Sequence, residues 1–276
     1  MKKALINIVP ILAVLLILTA CEDVATNVKM PPAQKKIVVQ CFISPDDDTV
    51  KAMVTWSKPI IGTSVSADPE FIKNANVVLS DGIKTAVLLW NGSDELYETQ
   101  SGAFKIEAGK KYSLVVSLPD GRNVKANCEV PLNKNKTLVF TKADTIHSDW
   151  GNETNCKFKY SDDEATVKNY FRLDGKPVLD NPYQDYYVSG EFKEDTDLKS
   201  ENIFEFIFYN DQSQPIEKVK AWLINCDYNY FQYHKTLQGA QNNFGVFTEP
   251  SIVYSNIEGG LGCFGAYNSY ELEVDL

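Results

Sequence analysis

From Ile37 to Val130, apolar and polar residues alternate with a period of two. Val39, Cys41 and Ile43 share one side of a first segment, and Asp46-Asp47-Asp48 breaks it. Val50 to Trp56 reads as a second strand, and Ala75, Val77 and Leu79 alternate into a Ser80-Asp81-Gly82 turn. Thr85 to Trp90 follows and ends at Asn91-Gly92, a strong hairpin signal. Gly102 to Ile106 leads to the Ala108-Gly109-Lys110 turn. Tyr112, Leu114, Val116 and Leu118 then share a face, and Pro119-Asp120-Gly121 turns the chain. The last alternating run places Val124, Ala126, Cys128 and Val130 together. About seven short strands with a turn every 8–12 residues predict an immunoglobulin- or fibronectin-like sandwich over residues 35–131.

Residues 131–136 are polar and aperiodic, which places a domain boundary there. Residues 137–276 read as a second β-rich domain. Its strands are expected at Lys157 to Tyr160, Lys168 to Leu173, Tyr186 to Phe192, Ile203 to Tyr209 and Val219 to Cys226. One short helix is expected after Asp227, with Tyr230, Tyr233, His234 and Leu237 on one face and Gly239 at its end. The fold class is therefore mainly β.

The first 20 residues follow another pattern. Lys2 and Lys3 precede an apolar run from Ile8 to Leu18, closed by Leu18-Thr19-Ala20-Cys21. The run is too short and too interrupted, at Asn7 and Pro10, to span a bilayer, and reads as a secretory signal. The ending resembles a bacterial lipobox, so Cys21 is the expected lipidation site and residues 21–34 the tether. Each buried methylene of an acyl chain contributes roughly 0.8 kcal/mol, so two or three chains hold a protein on its membrane. Glu22 and Asp23 resemble the export signal of Bacteroidota surface lipoproteins. The expected location is the outer membrane, lipid-anchored and facing the cell surface.

Removing residues 1–20 takes away two of 27 basic residues and none of 37 acidic ones, so the mature balance is 25 − 37 = −12. Such a chain lacks the basic footprint that nucleic acid requires. Five cysteines follow Cys21, at 41, 128, 156, 226 and 263, none in a C-x-x-C spacing. Cys41 and Cys128 have inward parity on the first and last strands of the expected sandwich. If those strands lie side by side, a disulfide can form; two buried thiols satisfy the pattern equally.

Several segments carry a resemblance. They are Ile37 to Phe42 (IVVQCF), Lys73 to Val77 (KNANV), Ala108 to Leu114 (AGKKYSL), and Asp120-Gly121-Arg122 with Cys128 to Pro131 (CEVP). Tyr228 to Gln238 and Ser255 to Ala266 (SNIEGGLGCFGA) continue it, with Asn256, Gly259, Gly260 and Gly262 as its most specific element. Together they resemble the Bacteroidota outer-membrane lipoproteins of domain of unknown function 4249. The resemblance implies genes beside TonB-dependent receptors, hence an accessory role at the cell surface. It implies no catalytic residues.

Candidate chemistry is sparse. Gly260 to Gly265 fits G-x-G-x-x-G, but only eleven residues follow, too few for a dinucleotide-binding βαβ unit. A tight turn or bulge against the second-domain core is the better reading, and no cofactor is expected. Neither His147 nor His234 has a second ligand at metal spacing. Asp46-Asp47-Asp48 and Asp162-Asp163-Glu164 lack the spaced pattern of a calcium loop, so no metal is expected either. No nucleophile elbow is present, so no catalytic residue is assigned. Tyr183, Tyr186 and Tyr187 crowd an Asn-Pro loop and form the candidate binding surface. The expected function is a non-enzymatic binding accessory of a TonB-dependent transporter, ligand unknown. A surface adhesion or assembly protein is the alternative, and an envelope hydrolase a third.

Overall fold

Hairpin chemistry fixes the first half of the chain. In the computed structural model, Asp81 Oδ1 accepts from the backbone N–H of Ile83 and Lys84 at 2.9 and 2.6 Å. Asp120 Oδ1 accepts from Arg122 N at 3.0 Å. Such side-chain turns reverse the strands at the expected places. The structure describes residues 34–58, 68–132, 138–148, 151–160, 168–179, 186–194, 202–210, 216–241 and 251–276.

Seven strands build the first sandwich: β1 (Ile37–Ile43), β2 (Lys51–Trp56), β3 (Asn76–Ser80), β4 (Thr85–Asn91), β5 (Leu96–Glu98), β6 (Lys111–Ser117) and β7 (Asn123–Glu129). The fifth is β5 rather than the expected Gly102–Ile106 segment. β4 pairs with β3 through Thr85–Leu88 and with β5 through Leu89–Asn91, so it turns the corner between the two layers. Val39, Val54, Val77, Leu79, Leu114 and Val116 fill the interior, an aliphatic core matching the period-two reading. Tyr97 of β5 adds a polar tie. Its hydroxyl donates to Ile72 O and accepts from Ala75 N, both at 2.8 Å.

The second half contains β8 (Leu138–Ser148), β9 (Gly151–Tyr160), β10 (Tyr170–Val178), β11 (Tyr186–Ser189), β12 (Glu191–Glu194), β13 (Ile203–Asn210) and β14 (Lys218–Cys226). Helix α1 (Tyr228–Gln241) and β15 (Leu261–Asp275) complete it. A four-stranded sheet, β11-β13-β9-β8, faces β12-β10-β14-β15. Between them lie Phe158, Phe171, Phe204, Phe206 and Phe208, all fully buried. Each contributes about 1.5–3 kcal/mol relative to exposure. The expected strand from Tyr186 to Phe192 is broken at Gly190, where β11 joins one sheet and β12 the other. A Cβ there would lie 2.4 Å from Leu173 O, so only glycine lets the chain cross at that point.

The two sandwiches share β15. Leu261–Ala266 pairs parallel to β1, and Tyr267–Asp275 pairs antiparallel to β14. Ile257, Phe264 and Ala266, read from sequence as part of the second domain, are buried in the first core. Residues 35–276 accordingly form one compact unit across the expected boundary. Among the described residues, no helix is long and apolar enough to cross a membrane.

Candidate functional site

Where β6 and β7 approach β10, β14 and the start of α1, the surface opens into a cleft of about 830 Å³. Asp227 lies at its base and caps the helix, accepting from Tyr230 N at 2.8 Å. Its own N–H donates to Ala266 O of β15 at 2.9 Å, and Asn229 Nδ2 reaches its other oxygen at 3.4 Å. Burial raises the Asp227 carboxyl to about 6, against the pull of backbone N–H groups and the Asn229 amide. Its oxygens are thus occupied by the helix cap.

Amides and phenols line much of the cleft, with Asp81, Lys111 and Glu129 on the β6–β7 side and Val130 to Leu132 supplying apolar wall. Asn229 Nδ2 donates to Asn127 O at 3.2 Å, and Asn229 Oδ1 accepts from the Tyr254 hydroxyl at 2.8 Å. Asn225, which lines the cleft, keeps a fully buried Oδ1 without a hydrogen-bond partner. At the mouth, Tyr228 meets Tyr170 edge-on at 5.5 Å and Tyr254 at 5.8 Å. Lys168 Nζ stands 5.1 Å above the Tyr170 ring and 3.0 Å from Glu194. Amides, phenol faces and the charged groups of Lys111, Lys168, Asp81 and Glu129 suit reversible contact with polar ligands. Cys128 and Cys226 line the cleft, but burial holds both thiols well above their ordinary pKa. A thiol so held is a poor nucleophile.

The glycine-rich element is the seam beneath this site. Gly262 has φ +104°, and a Cβ there would overlap the Val39 carbonyl oxygen of β1. At Gly265 a Cβ would lie 3.0 Å from the Tyr230 backbone, so a larger residue would lift α1 off the strand. Gly260 is as tightly placed against Ile37 O, and Gly259 turns the chain at φ +80°. Asn256 locks the entry to β15. Its Nδ2 donates to Phe264 O at 2.8 Å and to Asn127 O at 3.2 Å, while its Oδ1 accepts from Phe264 N at 3.0 Å. The expected tight turn is present at Ile257–Gly260, where Gly260 N donates to Ile257 O at 3.2 Å, but it packs on the first core rather than the second, and the glycines after it open the shared strand.

The other sequence candidates fare differently. Cys41 and Cys128 are separate buried thiols, because β15, not β7, lies beside β1. Cys21, Tyr183 and the side chains of Tyr186 and Tyr187 lie outside the described residues. Their backbone opens β11, with Tyr186 opposite Asn210. His147 Nδ1 lies 2.7 Å from Asn152 Oδ1 on the β8–β9 hairpin. His234 packs against Tyr230 and Phe42, with ring centroids at 4.2 and 4.9 Å. Among the described residues, no group of three or more His, Cys, Asp or Glu side chains could hold a metal. The cleft residues Asn127, Asn225, Asn229 and Tyr170 were not singled out by sequence. Only the capping Asp227 and the aromatic run after it pointed there.

No curated protein matches the chain. Among solved structures, the crystal structure of chicken CNTN1 FN1-FN3 domains is similar at 9% identity, covering 86% of this chain and 68% of that one, with a TM-score of 0.23. The family model described as domain of unknown function (DUF4249) matches residues 24–273, and the chain belongs to that family.

Proposed function

We propose that this protein is a Bacteroidota surface lipoprotein, anchored in the outer membrane through acylated Cys21. In this reading it serves a TonB-dependent transporter as a non-enzymatic binding accessory. The cleft is the observation that carries the binding role. Its one buried carboxylate is consumed by a helix cap and its thiols are silenced by burial, while its tyrosines and amides remain suited to contact. The lipobox-like Leu18-Thr19-Ala20-Cys21 supports the anchor, and Glu22-Asp23 the surface-facing leaflet.

The experiment is a pull-down of the tagged, lipidated protein from native outer membranes, read by mass spectrometry. One dominant TonB-dependent receptor is expected. Recovery of no receptor from a surface-exposed protein would overturn the accessory role. An adhesion or assembly role is the second reading, favoured by a cross-strand apolar row on the outer face of the first sandwich. There Val87 of β4 and Val115 of β6 flank Val78 of β3, and Leu89 is more than half exposed.

A further inference from the structure

The cleft has two sides of different make. One is the outer face of the sheet at β3, β6 and β7, where Ser80 stands opposite Ser113 and Ser113 opposite Asn127. Directly opposed residues lie on the same face, so two hydroxyls and a carboxamide form a row with steps of about 4.7–4.9 Å, the spacing of neighbouring strands. The other side, at β10 and the start of α1, carries Tyr228, which is 48% exposed, with Tyr170 beside it.

Among the described residues, five charged groups line the cleft, and each is already answered within the protein. Lys111 Nζ lies 3.6 Å from Glu129, and Lys168 Nζ lies 3.0 Å from Glu194. Asp81 Oδ1 is held by two turn N–H groups, and Asp227 by the helix cap. A ligand of either sign would have to displace a native partner before it met a counter-charge. The outer edge of β7 is closed as well. Lys125 N donates to Glu258 O at 3.3 Å, and Glu258 N donates to Lys125 O at 2.8 Å. Asn127 O accepts from the side chains of Asn229 and Asn256, each at 3.2 Å. An extended peptide joins a sheet through an open edge, and these groups are taken.

We propose that the cleft binds a neutral oligosaccharide, with sugar hydroxyls on the Ser80–Ser113–Asn127 row and a sugar ring against Tyr228. The inference rests on the binding role proposed above and names the ligand class. Hydroxyl and carboxamide groups both donate and accept, as sugar hydroxyls do, so the row pairs with them without charge on either side. A pyranose has an apolar C–H face and a polar rim, which match a phenol that is apolar in body and polar at its tip. The volume, about 830 Å³, lies within the roughly 300–1,000 Å³ of small-ligand clefts and leaves room for more than one sugar.

The test applies the full, lipidated protein, in a detergent without a sugar headgroup, to an array of neutral, uronic-acid-bearing and sulfated oligosaccharides. The strongest neutral hit is then titrated by calorimetry. Neutral oligosaccharides should be retained over charged ones, with an affinity constant within about twofold between roughly 0.05 and 0.5 M salt. Tyr228→Ala should weaken binding about tenfold, through loss of the ring the sugar packs on. Ser113→Trp fills the row from the sheet side, and should abolish binding if Tyr228→Ala fails to fold. Retention of no neutral oligosaccharide, preference for charged ones, or undiminished binding in both variants would overturn the proposal. A receptor recovered from membranes with no neutral oligosaccharide bound would remove the ligand class alone. A bound oligosaccharide with no receptor recovered would support the ligand class and remove the accessory role alone.

Discussion

The two sandwiches solve the same packing problem with different materials. The first fills its interior with aliphatic residues in register across paired strands, such as Val77 and Leu79 of β3 against Val116 and Leu114 of β6. The second stacks phenylalanines, with Phe158 and Phe206 nearly parallel at 5.5 Å. A methyl-sized gap in the first can be closed by small shifts of neighbours; a missing ring in the second leaves a hole its neighbours cannot fill. Between them lies β15, which belongs to both and tolerates neither bulk nor slippage where it meets β1.

That contrast can be broken by substitution. Phe206→Ala should cost about 3–5 kcal/mol in urea unfolding and more than Leu79→Ala in the first core, which falls within roughly 2–5 kcal/mol. Equal losses would remove the distinction. Gly262→Ala should cost about 3 kcal/mol without removing any core side chain, since it combines a left-handed backbone with overlap of the Val39 carbonyl. A thermal melt within a degree of the parent would contradict the close approach. Asn256→Ala should cost up to about 3 kcal/mol, because Phe264 loses both backbone partners at once.

Asp227 gives a pH-dependent term. Its folded pKa, about 6, lies above the ordinary 3.8, so the folded state binds the proton more tightly. The stability tied to this group is complete below pH 3.8 and is lost as pH rises through 6, on the order of 3 kcal/mol in all. Asp227→Asn retains a capping side chain and should flatten that window when melts are compared between pH 4 and 7. A parallel pH dependence in both proteins would contradict it. The smallest effect is expected on the outer apolar row, where Val115→Lys should change stability by less than about 0.5 kcal/mol. Loss of self-association or of surface attachment in that variant would favour the assembly reading.

The same contrast explains what was legible in the sequence. Alternation in the first sandwich is clean because one face of each strand is buried, so β1 to β4, β6 and β7 could be read directly. β5 has three residues and shows no period; only its buried Tyr97 marks it. β8 is polar and lies at a sheet edge, where few positions need be apolar. β15 was hidden for the opposite reason: Gly262 to Ala266 is buried on both faces and glycine-rich, which mimics a turn. The helix was found through Asp227 and its aromatic stripe, but runs past Gly239 to Gln241, since one exposed glycine in a helix costs only about 1 kcal/mol. The cleft was not legible. Asn127 and Asn229 are a hundred residues apart, and only the shared strand brings them together.

That shared strand is the central claim, and native-state hydrogen exchange tests it most directly. Amides of Val39 and Gln40 in β1 and of Leu223 and Ile224 in β14 lie on opposite sides of β15. A strand shared by both sandwiches gives one cooperative opening, with equal free energies and equal urea dependence for both sets. Opening free energies that differ by more than about 1 kcal/mol, with separate urea slopes, would show two independent sandwiches joined by a passive strand.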